Sequence, residues 1–276
     1  MKILKIILII LCFLFLTALT QIGGLVYLLS FVTYKFINRK TDKKAQRITL
    51  KFFSFLILYS FFTFLIVPVI AKPLGRVRLP VTETDHLKPL NILTCFFNRN
   101  YVRPELKESA LSIARKLNQK YPGTSVNYLE ANFPFFNKFP LLPHLSHSDG
   151  KKLDLSFCYL DSKTQKQTNK CPSFIGYGIC EEALLNEKNT ACECSEQGYW
   201  QYSLLKVIVP QSSKKKFDFD ATRTKDLIEI CCKNPSIGKI FLEPHLKKRL
   251  NLNSGKIKFH SCKAARHDDH VHIQMN

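Results

Sequence analysis

The chain has no charged side chain between Ile6 and Tyr34, and none again between Phe52 and Ala71. Such stretches cannot form a soluble surface. Each is long enough to span a bilayer core as a helix, which takes roughly 20 residues. Acids are also scarce, with 21 Asp/Glu against 41 Lys/Arg and a net charge of +20. No two cysteines have the C-x-x-C spacing of a zinc knuckle, so Cys192-Glu-Cys194 and Cys231-Cys232 are poor metal clips. No internal repeat is present, and no nucleic-acid recognition motif accompanies the basic charge. Histidine is rare at eight residues.

What is there divides the chain into three parts. Residues 1–71 read as an N-terminal membrane anchor with two apolar spans, 6–34 and 52–71. The loop between them carries Lys35, Arg39, Lys40, Lys43, Lys44, Arg47 and Lys51 against a single acid, Asp42. Basic loops stay cytoplasmic, so the second span leads outward. A signal peptide is the competing reading of Lys2, Lys5 and the first apolar run. That run is longer than an h-region and no small-residue cleavage motif is followed by soluble sequence. Gln21-Ile22-Gly23-Gly24 near its middle fits either a tilted helix or a tight re-entrant hairpin. Residues 72–90, with Pro73, Gly75, Pro80 and Pro89, read as a linker. Residues 91–276 form the expected extracytoplasmic domain.

Beyond residue 71 the chain holds 32 Lys/Arg, 20 Asp/Glu and nine cysteines. The cysteine density points to disulfides in an oxidising compartment. The basic charge favours an anionic polymer or lipid headgroups over nucleic acid, given the topology. Helices are expected over 104–119, 223–233 and 244–250, from proline starts and helical spacing of apolar residues. Strands are expected over 124–131, 152–160, 199–209, 238–242, 256–259 and 271–274. Residues 161–197 read as a long Cys-containing insertion. The fold class expected is α+β, a small antiparallel sheet with flanking helices behind N-terminal transmembrane helices.

Five of the eight histidines fall in two clusters. The first is His144-Leu-Ser-His147-Ser-Asp-Gly150-Lys-Lys-Leu-Asp154. The second is His267-Asp268-Asp269-His270-Val271-His272. On a strand, residues two apart face the same side, so His270 and His272 present two imidazoles to one point. His147 and Asp154 converge only if the chain turns between them, and Gly150 tolerates such a turn. Imidazole and carboxylate suit a borderline-soft ion such as zinc, and three protein ligands leave one position open for chemistry. The ligand set read from spacing is His147, Asp154 and one of the last two histidines.

These two motifs resemble the penicillin-insensitive murein endopeptidase family, within the zinc peptidases that include lysostaphin-type and D-Ala-D-Ala-type enzymes. The likeness covers about Asn91 to Gln274, and the segment Ile240–Lys248 contributes to it. The resemblance implies His147, Asp154 and His272 as zinc ligands, His270 as catalytic histidine, His267 as its assistant, and His144 as a further histidine near the metal. It also implies hydrolysis of peptide cross-links, of D-alanyl-diaminopimelyl type, in peptidoglycan; the two membrane spans depart from the soluble periplasmic form of that family, and with the basic loop they put the expected domain at the periplasmic face of the inner membrane. Zinc would lower the pKa of water toward about 7, with His270 as general base. Asp268 and Asp269 could orient the imidazoles. The family's additional acidic positions have no clear counterpart; Asp161, Glu181 and Glu182 are candidates. A D,D-carboxypeptidase or dipeptidase, and a non-catalytic zinc-containing wall-binding domain, are the alternatives.

Overall fold

The computed structural model describes residues 2–142 and 144–276. It is α+β, with small sheets flanked by helices and an apolar helix at the N-terminus. The first apolar run is two helices, α1 (Lys2–Thr20) and α2 (Gly23–Lys40), packed as a hairpin. The break falls at Gln21, whose φ is +68°. A β-carbon at Gly24 would lie 2.5 Å from the Phe13 carbonyl oxygen and 2.1 Å from Thr17 Oγ1. Glycine is therefore what lets α2 approach α1 so closely.

Helix α3 (Lys44–Phe61) packs beside α2 and runs through a π-helical turn, Phe62–Ile66, into α4 (Val67–Ala71). Pro68 has no N–H to offer the Phe64 carbonyl, and Arg78 Nη1 donates to that oxygen instead, at 3.1 Å. Among the described residues, two helical stretches, Lys2–Thr20 and Lys44–Leu74, are long and apolar enough to cross a membrane.

Residues 72–90 are not a free linker. They contain β1 (Val77–Arg78) and β2 (Leu87–Pro89), and Leu79 and Leu87 are fully buried in the main core. There follow α5 (Ile92–Phe96), β3 (Tyr101–Val102), α6 (Pro104–Lys120), β4 (Val126–Tyr128) and β5 (Lys152–Ser156). The inserted region holds β6 (Tyr159–Asp161), β7 (Gln167–Thr168) and α7 (Thr190–Glu196). Residues 199–209 form no strand. A 3₁₀ turn at Trp200–Ser203 leads into α8 (Leu204–Ile208), which leaves Trp200, Val207 and Ile208 exposed. The chain closes with β8 (Phe217–Phe219), α9 (Ala221–Lys233), β9 (Ile237–Phe241), α10 (Pro244–Arg249), β10 (Ile257–Lys258) and β11 (His270–Met275).

The main sheet has six strands in the order β10-β9-β11-β5-β4-β2. It is mixed rather than purely antiparallel, because its outer pairs β10/β9 and β4/β2 are parallel. The inner strands β11 and β5 are antiparallel, with His272 opposite Asp154 and His270 opposite Ser156. Leu153, Leu155, Val271 and Ile273 share the core with α6 and α9. The alternate residues Asp154, His270 and His272 take the opposite face, as the strand period requires.

Candidate metal centre

Asp154 is fully buried at the middle of the sheet. Its Oδ1 lies 2.8 Å from His272 Nδ1, 3.3 Å from His147 Nε2 and 3.6 Å from His270 Nε2. Its Oδ2 accepts from the Tyr177 hydroxyl at 2.7 Å. The backbone of Leu129 and Glu130 pairs with that of Asp154, which fixes the carboxylate from the β4 side.

His147 arrives from the turn after His144, whose carbonyl accepts from the His147 N–H at 2.9 Å. Gly150 then turns the chain into β5 with φ +80°, and its N–H donates to Asn132 Oδ1. His147 Nδ1 is 2.6 Å from the Ala131 carbonyl. A carbonyl only accepts, so Nδ1 carries the proton and Nε2 keeps its lone pair toward the site. His147 Nε2 is 3.1 Å from His272 Nδ1.

His147, Asp154 and His272 thus place three ligand atoms 2.8–3.3 Å apart. Tetrahedral zinc with bonds of about 2.0–2.1 Å sets such atoms roughly 3.3 Å apart. A second group, His267, His270 and His272, could also hold an ion. His144 lies outside both groups. Its Nδ1 is 2.8 Å from Glu130 Oε2, which in turn pairs with Arg99. Asp154 Oδ1 and the Nε2 atoms of His144, His270 and His272 are buried without a hydrogen-bond partner. Buried polar atoms left unpartnered in this way are costly unless a cation or water takes them up.

Charge in the cluster is arranged around Asp154. Burial pushes its carboxyl up, but His147, His270 and His272 outweigh that and hold it well below the usual range. Burial likewise lowers His272 to about 4, despite Asp154. Burial and the neighbouring imidazoles of His270 and His272 push His267 well down, so it stands neutral. His270 goes the other way. Burial lowers it, but Asp154 and then Asp269 outweigh burial and raise it to about 9. Asp269 Oδ1 bonds His270 Nδ1, and Asp269 Oδ2 accepts from the Gly178 N–H at 2.6 Å.

Of the two neighbouring aspartates only Asp269 touches a site histidine side chain. Asp268 pairs with Arg266. The three acidic candidates also sit elsewhere: Glu181 pairs with Lys214, Glu182 with Lys206 and Arg266, and Asp161 accepts from the 163–164 turn. Tyr177 and Glu130 went unread in the sequence, because neither belongs to a spaced motif.

One described disulfide, Cys194–Cys262, ties α7 to the loop before the last motif. That loop supplies Lys263, Ala264 and Ala265 to a cavity of about 200 Å³ over His147, His267, His270 and His272. No protein-family model matches the chain, and no curated protein matches it.

Proposed function

We propose that the chain is a membrane-anchored zinc peptidase that hydrolyses peptide cross-links in peptidoglycan. The observation that carries this reading is the convergence of His147, Asp154 and His272 on one buried point beside a cavity, with His270 and His267 at its wall. The donor set, two imidazole nitrogens and one carboxylate oxygen, suits zinc, and the unpartnered buried atoms supply the need for a cation. The exposed apolar surface of α1 favours a bilayer anchor. The basic loop over residues 35–51 favours the periplasmic side for the domain.

When bound, zinc supplies Lewis acidity and a lowered pKa for water. The rest falls to the chain. Asp269 fixes the ring of His270 and directs Nε2 into the site, the role a buried carboxylate plays beside any catalytic imidazole. His147, Asp154 and His272 would hold the ion, and its charge beside Asp154 would offset the carboxylate that does most to raise His270. His270 then accepts a proton from water and passes it to the leaving amine. His267, held neutral, donates a hydrogen bond to the developing oxyanion. Tyr177 keeps the Asp154 carboxylate in place.

The test uses the full chain in nanodiscs with intact peptidoglycan sacculi, and the digest is read by mass spectrometry. The reading expects chelator-sensitive conversion of cross-linked dimers to monomers. Removal of terminal D-alanine alone would assign the carboxypeptidase chemistry instead. No product from protein that holds zinc would favour a wall-binding domain.

A further inference from the structure

The cavity over the histidines has two neighbours that share lining residues with it or with each other. His144 and Leu145 line it and also a second cavity of about 220 Å³ that reaches Tyr177 and Leu205. His144, Tyr177 and Leu205 in turn line a third, of about 210 Å³. That third cavity is amphiphilic. Arg99, Glu130 and His144 form its polar part, next to the metal centre. Leu19, Leu93, Phe97 and Ile175 form its apolar part.

Leu19 belongs to α1, the helix that exposes its apolar side chains along most of its length. The domain is seated on this end of the helical hairpin. Phe135 N–H donates to Gln21 Oε1 at 2.9 Å, and Asn98 Nδ2 donates to the Thr20 carbonyl and to the Tyr59 hydroxyl. Two exposed apolar residues bond cavity-lining side chains through their backbones. Leu142 is 59% exposed and its carbonyl accepts from Arg99; Phe174 is 71% exposed and its carbonyl accepts from Asn91. Large exposed side chains around a groove mark an apolar binding surface. A wall polymer of sugars and short peptides offers little apolar surface to Leu93, Phe97 and Ile175, beyond its small methyl and methylene groups.

We propose that the substrate carries an apolar lipid chain, which lies in the cavity between α1, α5 and Ile175 while its polar head reaches the histidine centre. The inference rests on the membrane-anchored reading of α1 and narrows the substrate to a lipid-linked form. The groove then delivers a head group from the bilayer to His270 without a step through bulk water.

The experiment reconstitutes the full chain with zinc in phosphatidylethanolamine–phosphatidylglycerol nanodiscs containing diazirine-labelled palmitic acid. After illumination, the labelled residues are mapped by mass spectrometry. Labelling of Leu93, Phe97 or Ile175, reduced at least tenfold by Ile175→Glu, is the expected result. Ile175 is 42% exposed, so the variant tests the groove without emptying the core. Labelling confined to α1, α2 and α3, from protein that retains zinc and resists alkaline carbonate extraction, overturns the inference and leaves the anchor and metal readings standing. Extraction by carbonate overturns the anchor reading and the inference with it.

Discussion

Strands β5 and β11 have two faces built from alternate residues of the same ten or so positions, and the faces obey opposite rules. On one, Leu153, Leu155, Val271 and Ile273 are buried among other apolar side chains. On the other, Asp154, His270 and His272 are just as buried but leave polar atoms without partners. The first face is stable as it stands. The second carries buried polar atoms that a bound cation or water would satisfy. The contrast teaches that burial alone does not identify a functional face; burial with unmet hydrogen-bonding capacity does.

Substitutions on the two faces should therefore separate stability from binding. Asp154→Asn, which keeps the shape and removes the charge, should lower zinc affinity by more than about 100-fold, beyond the 10–100-fold typical of an outer partner. It should also abolish turnover. Zinc at 100 times its Kd should stabilise the native chain by about 2.7 kcal/mol, and thermal melts of Asp154→Asn should show no such gain. On the core face Leu155→Ala should cost about 2–5 kcal/mol of stability. Its zinc affinity, measured by titration on the folded fraction, should stay within about twofold of native, because the Leu155 side chain lies on the face of the strand opposite the ligand atoms.

Smaller effects sharpen the picture. Asp269→Asn should retain zinc and slow turnover by about 10–100-fold, with the change in kcat rather than KM. Tyr177→Phe removes a hydroxyl that donates to Asp154, a bond to a charged group worth roughly 1.5–3 kcal/mol. A tenfold or greater loss of zinc affinity is the outcome to look for. The smallest effect lies away from both faces. The hydrogen bonds from Arg249 lower Glu187 to about 2. A lowered carboxylate contributes stability above its unfolded value of about 4.5, and loses that contribution as pH falls toward 2. Arg249→Gln should flatten the acid side of the stability profile between those values and lower stability by a constant amount at neutral pH, where the lost contribution is fully present.

Much of the centre was legible because strand periodicity and histidine spacing are local. The alternation around His270 and His272 predicts one polar and one apolar face, and the register delivers it. The amphipathic helices α6 and α9 were legible for the same reason. Tyr177 and Glu130 were not, because their roles come from a long insertion and a strand end that meet the site only in space. Strands β1 and β2, two and three residues long, are too short to show a period, and their prolines resembled a linker. Residues 199–209 carry an apolar run that length and pattern cannot assign to strand or helix.

The central claim is that the two faces differ because one holds a metal. The most direct measurement is zinc per chain by elemental analysis after exhaustive dialysis, for the native full chain, Asp154→Asn and His270→Ala. One zinc per chain in the native protein and in His270→Ala, and none in Asp154→Asn, is the predicted result. Loss of zinc from His270→Ala would exchange the roles assigned to His270 and His272. No zinc in the native chain, or zinc retained in Asp154→Asn, would contradict the account.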